Sequence, residues 1–144
     1  MAALLKQARV VVVDDEPAVA GLFSQYLAGR FRVDWFTSSP QALDHLRRNR
    51  ADLLVTDLIM PQLNGLELTG LAKDQHPALK VVMVSGLNPW SWCQGRHPNL
   101  ALLDAYLAKP VALDDLERCC GQVLQGRRTP PDVRDPWLCV APAY

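Results

Sequence analysis

Three carboxylates, a hydroxyl and an ammonium group each stand at the C-terminal end of an apolar run. Asp14 and Asp15 follow Val10–Val13, Asp57 follows Leu53-Leu54-Val55-Thr56, Ser85 closes the run from Lys80, and Lys109 follows Ala105–Ala108. A strand buried on both faces cannot hold an acid at its middle, but its end opens onto the crevice where open α/β sheets bind ligands. Carboxylates gathered there repel one another, so the cluster must bind protons more tightly or recruit counter-charge. Lys109 and a divalent cation would supply that charge. Oxygen donors select a hard ion, and magnesium takes one or two carboxylates, keeps several waters and accepts a phosphoryl oxygen. The pattern points to phosphate chemistry. Asp57 is the first candidate for the reacting group, because Pro61 and Asn64-Gly65 force the loop after it into a short turn.

The elements that must position these groups alternate along the chain. Val10–Val13 is β-branched and apolar on both faces and predicts a central strand; Pro17 suits the first turn of a helix, which Val19, Leu22, Phe23, Tyr26 and Leu27 continue as an apolar face to near Gly29. Residues 31–36 alternate and predict an edge strand, and Ser39-Pro40 starts a second helix through Ala42, Leu43 and Leu46, ending in Arg47, Arg48 and Arg50. Leu53–Thr56 is a buried strand, and a third helix through Leu66, Leu68, Leu71 and Ala72 closes before Pro77. Lys80–Ser85 is a fourth strand. Asn88–Asn99 holds Pro89, Gly95 and Pro98 with Trp90 and Trp92 two apart, so its helix is expected to be irregular. Ala105–Ala108 is the fifth strand, and Leu113, Leu116, Cys120, Val123 and Leu124 mark the last helix, with Asp114 and Asp115 in its first turn. Strand and helix alternating five times imply an α/β fold: a doubly wound, five-stranded parallel sheet with helices on both faces.

A chain of 144 residues, 49% hydrophobic and 21% charged, suits one folded domain. Residues 1–125 are expected to form it, with 126–144 a proline-rich tail whose Trp137-Leu138-Cys139-Val140 could dock on the domain. Fifteen basic and fifteen acidic residues cancel, which leaves no global field for nucleic acid, and no stretch is apolar enough to cross a membrane. A cytoplasmic location is expected. Cys93, Cys119, Cys120 and Cys139 form no C-x-x-C pair and read as reduced thiols, not zinc ligands. His45, His76 and His97 have no shared spacing and read as surface residues.

Asp14-Asp15, the Asp57-Leu58-Ile59-Met60-Pro61 segment with Asn64-Gly65, Ser85-Gly86 and Lys109-Pro110 together resemble the response-regulator receiver domain of two-component signalling (CheY-like), over roughly Arg9 to Gln125. The resemblance implies the flavodoxin-like strand order 2-1-3-4-5. It implies Asp57 as phosphoacceptor and Mg²⁺ held directly by Asp15 and Asp57, through water by Asp14, and by the backbone carbonyl of Ile59. Ser85 and Lys109 would each bind a phosphoryl oxygen, Tyr106 would be the aromatic switch, and the Lys109-Pro110 bond would be cis. The partners implied are a sensor histidine kinase or phosphotransfer protein and a downstream effector that reads the face of helix 4, strand 5 and helix 5. On this reading the protein catalyses only its own phosphorylation and dephosphorylation.

Each residue has a plainer role to weigh. An Asp-Asp pair before a helix can be a cap, Lys109 a snorkelling surface lysine, Ser85 a turn residue and Tyr106 a strand aromatic. Two other functions use the same residues: a pseudo-receiver that binds without taking phosphate, and a phosphatase working through an aspartyl-phosphate. The haloacid-dehalogenase type of phosphatase has its general acid two residues after the nucleophile, where this chain has Ile59.

Overall fold

The computed structural model describes residues 8–127; the expected tail, including Trp137–Val140 and Cys139, lies outside them apart from its first two residues. Five strands form one parallel sheet in the order β2-β1-β3-β4-β5: β1 (Arg9–Val13), β2 (Arg32–Phe36), β3 (Leu53–Thr56), β4 (Lys80–Ser85) and β5 (Ala105–Ala108). The expected order and the edge position of β2 both hold. The shared direction carries every strand's C-terminal end to one edge. Register aligns Val13 with Thr56, Thr56 with Met83 and Ser85 with Ala108, so the residues that follow β1, β3 and β5 emerge near the end of β4.

Two core layers sandwich the sheet, because successive strand side chains point to opposite faces. Val10 and Val12 pack with Phe23 and Leu27 of α1 (Pro17–Leu27) and with Leu116, Cys120 and Val123 of α5 (Leu113–Leu124). Val11 and Val13 pack on the other face, with Leu43 and Leu46 of α2 (Ser39–Arg48) and Leu66, Leu68 and Ala72 of α3 (Gly65–Gln75). The fourth helix is irregular as expected. It is reduced to the single turn α4 (Pro89–Trp92), and a 3-10 turn (Pro98–Leu102) follows and packs on α3. Gln94 and Gly95, both at positive φ, join them. The Lys109-Pro110 bond is cis. Among the described residues no helix is long and apolar enough to cross a membrane.

Three local expectations are corrected. Leu22 and Tyr26 do not join the buried face of α1: they are 50% and 38% exposed, and the small side chains of Ala20 and Ser24 complete that face instead. The cap of α2 is Ser38, whose hydroxyl accepts from the Gln41 N–H, while Ser39 Oγ donates to the Pro61 carbonyl. The histidines are half-buried and engaged. His45 lies 3.4 Å from Asp34, His76 Nε2 lies 2.7 Å from the Leu46 carbonyl, and His97 Nδ1 accepts from the Asn99 N–H.

Candidate functional site

Asp14, Asp15 and Asp57 converge beyond the strand ends, and one carboxylate oxygen from each lies within 4.8 Å of the others. Asp14 is the buried member, at 2% exposure. Its N–H continues the β1–β2 ladder by donating to the Phe36 carbonyl, Oδ1 accepts from the Glu16 N–H at 2.9 Å, and Oδ2 accepts from Lys109 Nζ at 2.6 Å. Asp14 and Asp15 do not cap α1: Glu16 stands at its N-cap position and no side chain accepts there. Asp15, next along the turn, is exposed.

Asp57 is held by the turn that follows β3. Its N–H donates to the Val13 carbonyl, Oδ1 accepts from the Leu58 N–H at 2.8 Å, and Oδ2 faces Lys109 Nζ at 3.5 Å. The turn is closed from beyond by the Gly65 N–H donating to the Leu58 carbonyl, and by a capping box in which Asn64 and Glu67 each receive the other's N–H. Any side chain on Gly65 would strike the Asp57 carbonyl. Backbone and helix start thus converge under the Asp57 carboxylate, a close approach only glycine permits.

Burial raises the Asp57 pKa above its ordinary value and the Asp14 charge adds to this, against the opposing pull of Lys109, the Leu58 N–H and Ser85. Burial alone would depress Lys109, but its hydrogen bond to Asp14 and the two carboxylate charges outweigh that and hold it above its ordinary value. The ammonium is therefore charged and shared between two acids. Three oxygen donors, one buried, suit a hard divalent cation, and a cation-poor carboxylate cluster with one lysine is the kind of site that takes one up. Magnesium held by Asp14, Asp15 and Asp57 would add positive charge where Lys109 alone neutralises two acids.

Ser85 is buried, its Oγ accepts from the Leu87 N–H at 3.1 Å, and its nearness to Asp57 pulls against the rise in that carboxylate's pKa. Its carbonyl points elsewhere, accepting from the Lys109 N–H at 3.0 Å and from Tyr106 Oη at 3.1 Å. Tyr106 is 4% exposed, with Trp90 against it at 6.4 Å between ring centroids. Tyr106 thus joins the site through Ser85, not through the carboxylates. Ile59 lies on the Asp57 turn with its side chain 44% exposed. Sequence reasoning missed the Asn64–Glu67 box, although the Asn-x-x-Glu spacing was there to find. No local pattern distinguishes buried Trp90 from exposed Trp92.

The chain matches the response regulator receiver domain family over residues 10–119, more than half its length. The response regulator MprA of Mycobacterium sp. (strain KMS) is 33% identical over 129 residues, covering 86% of this chain and 53% of that protein, and MprA of Mycobacterium leprae (strain TN) is 32% identical over the same shares. The chain therefore spans about half the length of the curated relatives it matches. A CheY-like receiver domain protein from Methanospirillum hungatei JF-1 superposes with a TM-score of 0.76 at 25% identity, over 84% of this chain and 96% of that one. DrrB, a Thermotoga maritima OmpR/PhoB homologue, superposes at 0.74 with 21% identity, over 85% and 55%, a likeness of fold alone. On sequence and fold together, the chain belongs to the response regulator receiver domain family of two-component signalling.

Proposed function

We propose that Asp57 is the phosphoacceptor of a phosphorelay, taking a phosphoryl group from the phosphohistidine of a sensor kinase or phosphotransfer protein in a magnesium-dependent reaction. The observation that carries this reading is the meeting of three carboxylates within 4.8 Å beside a charged Lys109 shared by Asp14 and Asp57. Asp57 Oδ2 attacks phosphorus in line as the bond to the histidine nitrogen breaks, leaving an aspartyl-phosphate and free imidazole. Asp14, Asp15, Asp57 and the Ile59 carbonyl would hold magnesium, which when bound supplies charge neutralisation at the transferred oxygens. Lys109 is placed to follow the growing negative charge, and Ser85 to donate its hydroxyl to a phosphoryl oxygen. The modified domain then presents a changed face around α4, β5 and α5 to a downstream effector protein; neither nucleic acid nor a membrane is part of this reading. In the protein's own chemistry only its phosphorylation and dephosphorylation are catalysed, in the cytoplasm.

The test is to incubate the protein with a small phosphodonor and magnesium and weigh it intact. Wild type should gain about 80 Da per molecule and Asp57→Asn nothing. A single-site gain retained by the mutant removes the assignment, and no gain in wild type favours a pseudo-receiver that binds without being modified.

A further inference from the structure

Two adjacent serines at the start of α2 have different partners. Ser38 is half-buried and its hydroxyl accepts from the Gln41 N–H, which caps the helix. Ser39 is 1% exposed and meets the loop that follows Asp57. A buried hydroxyl left without a partner is costly, and Ser39 Oγ donates to the Pro61 carbonyl at 3.1 Å. Proline has no N–H, so that carbonyl is the one backbone hydrogen-bonding group Pro61 owns. It also accepts from the Leu63 N–H at 2.9 Å. Just beyond, Gln62 takes φ +72°, a conformation that a residue with a side chain keeps only where its surroundings over-determine it.

The bond matters because of where it falls in the loop. Leu58 is tied at both backbone groups, its N–H donating to Asp57 Oδ1 and its carbonyl accepting from the Gly65 N–H. Ile59 and Met60 follow, and among the described residues neither makes a backbone–backbone hydrogen bond. Met60 is held by its side chain, 7% exposed in the core layer shared with α2 and α3, and the next fixed backbone point is the Pro61 carbonyl on Ser39. The Ile59–Met60 peptide is thus suspended between Leu58 and the Ser39 anchor. We propose that Ser39 is a positioning residue for the metal site: by fixing the Pro61 carbonyl to α2, its hydroxyl sets the Ile59 carbonyl for the cation held by Asp14, Asp15 and Asp57. Ser39 touches neither metal nor phosphate. Loss of its hydroxyl removes no ligand but frees the loop between Leu58 and Leu63 to take other conformations. A smaller fraction of molecules then stands ready to bind, and the apparent affinity falls by that fraction.

This inference rests on the reading that the three carboxylates and the Ile59 carbonyl take magnesium, and one titration separates the two. Ile59 is the one isoleucine in the sequence, so the full chain labelled with carbonyl-carbon-13 isoleucine gives a single labelled signal in NMR. Magnesium chloride is added while the amide signals of Asp14, Asp15 and Asp57 report cation binding independently of Ile59. In wild type all of these should shift together and saturate. Ser39→Ala should need about three to ten times more magnesium for half-saturation, the range set by a single net hydrogen bond. Ser38→Ala is the control: it loses the helix cap, so its urea midpoint should fall while its magnesium affinity stays that of wild type. If Ser39→Ala does not fold, Ser39→Gly removes the same hydroxyl and takes its place. Equal affinity in wild type and the variant without the hydroxyl overturns the proposal. So does an equal loss in Ser38→Ala, which makes the effect one of helix stability. An Ile59 signal that stays in place while the aspartate amides shift removes the carbonyl from the metal and the proposal with it, leaving the carboxylate site standing. No shift of any reporter in wild type removes the magnesium reading itself, and the proposal falls with it.

Discussion

Ionising Asp57 works against the fold, because burial and the neighbouring Asp14 charge raise its pKa in the folded chain above the ordinary carboxylate value. The folded state thus binds this proton more tightly than the unfolded one. Its stabilising contribution is complete below the unfolded carboxylate pKa, about 4, and is lost as pH rises through the folded value. At neutral pH the ionised carboxylate is a standing destabilisation that asparagine lacks. Asp57→Asn should therefore be more stable than wild type near neutral pH in metal-free buffer, with the difference shrinking toward about pH 4. Urea midpoints at both pH values check it, and an equal or reversed difference counts against it. At the same scale, Ile59 and Leu87 stand two residues after Asp57 and two after Ser85, with side chains 44% and 50% exposed that cannot hydrogen-bond. Hydrolysis of an aspartyl-phosphate needs a water held in line behind phosphorus, and positioning that water is a large part of the barrier. Apolar residues at these two positions offer such a water no hydrogen bond, so the phosphorylated state should be long-lived. Decay in magnesium buffer should quicken on the order of tenfold in Ile59→Asn and Leu87→Glu, a barrier change of about 1.4 kcal/mol, and equal or slower decay in both sinks the idea.

At the scale of elements, α3 begins so close under the Asp57 turn that Gly65 has no room for a side chain: a Cβ there meets the Asp57 carbonyl and the Met83 methyl. Gly65→Ala should destabilise by about 1–3 kcal/mol, as overpacked sites do, and because the displaced atom belongs to the proposed phosphoacceptor it should also slow phosphorylation. Loss of stability with an unchanged phosphorylation rate would separate the helix start from the site. The strands and most helices were legible in the sequence because burial on one or both faces imposes a period that residues such as Val10–Val13 and Leu53–Val55 display directly. The broken fourth helix was legible too, since Pro89, Gly95 and Pro98 exclude a regular one. The buried arc of α1 was not, because Ala20 and Ser24 face the core through small size, which a hydrophobic stripe does not record, while Leu22 and Tyr26 mimic the stripe from the solvent side. The Lys73–Asp104 pair, which also satisfies the Val81 N–H, joins residues 31 apart and had no local signal. The site was readable for a different reason. In a parallel sheet every strand's end reaches one edge, so residues distant in sequence converge there without any pairwise clue.

For the molecule as a whole, the two core layers and the site close within residues 8–127. Among the described residues, no buried side-chain nitrogen or oxygen lacks a hydrogen-bond partner. The last helix also carries its own stop. Gly126 takes φ +85°, its N–H donates to the Val123 carbonyl, and the Arg127 N–H donates to the Gln122 carbonyl. These are the paired bonds of a Schellman motif, which satisfies the end of a helix within the helix's own chain. Upstream of it, Cys119, Cys120 and Val123 face the core, and Arg30 lies against Gly121 and within 4.0 Å of Glu117, tying α5 to the segment after α1. Burial pushes the Cys119 thiol up to about 12, as befits a side chain that serves packing and not reaction. The contacts named above all join residues within 8–127. A chain ending at Arg127 should therefore keep its denaturant midpoint to within about 0.5 kcal/mol of the full chain, the range of changes that touch no packed contact. It should also take up phosphate from a small phosphodonor at the same rate, because every proposed group from Asp14 to Lys109 lies inside the closed unit. A large fall in stability on truncation would mean that the proline-rich segment belongs to the folding unit, and unchanged stability with altered phosphorylation would place that segment against the site.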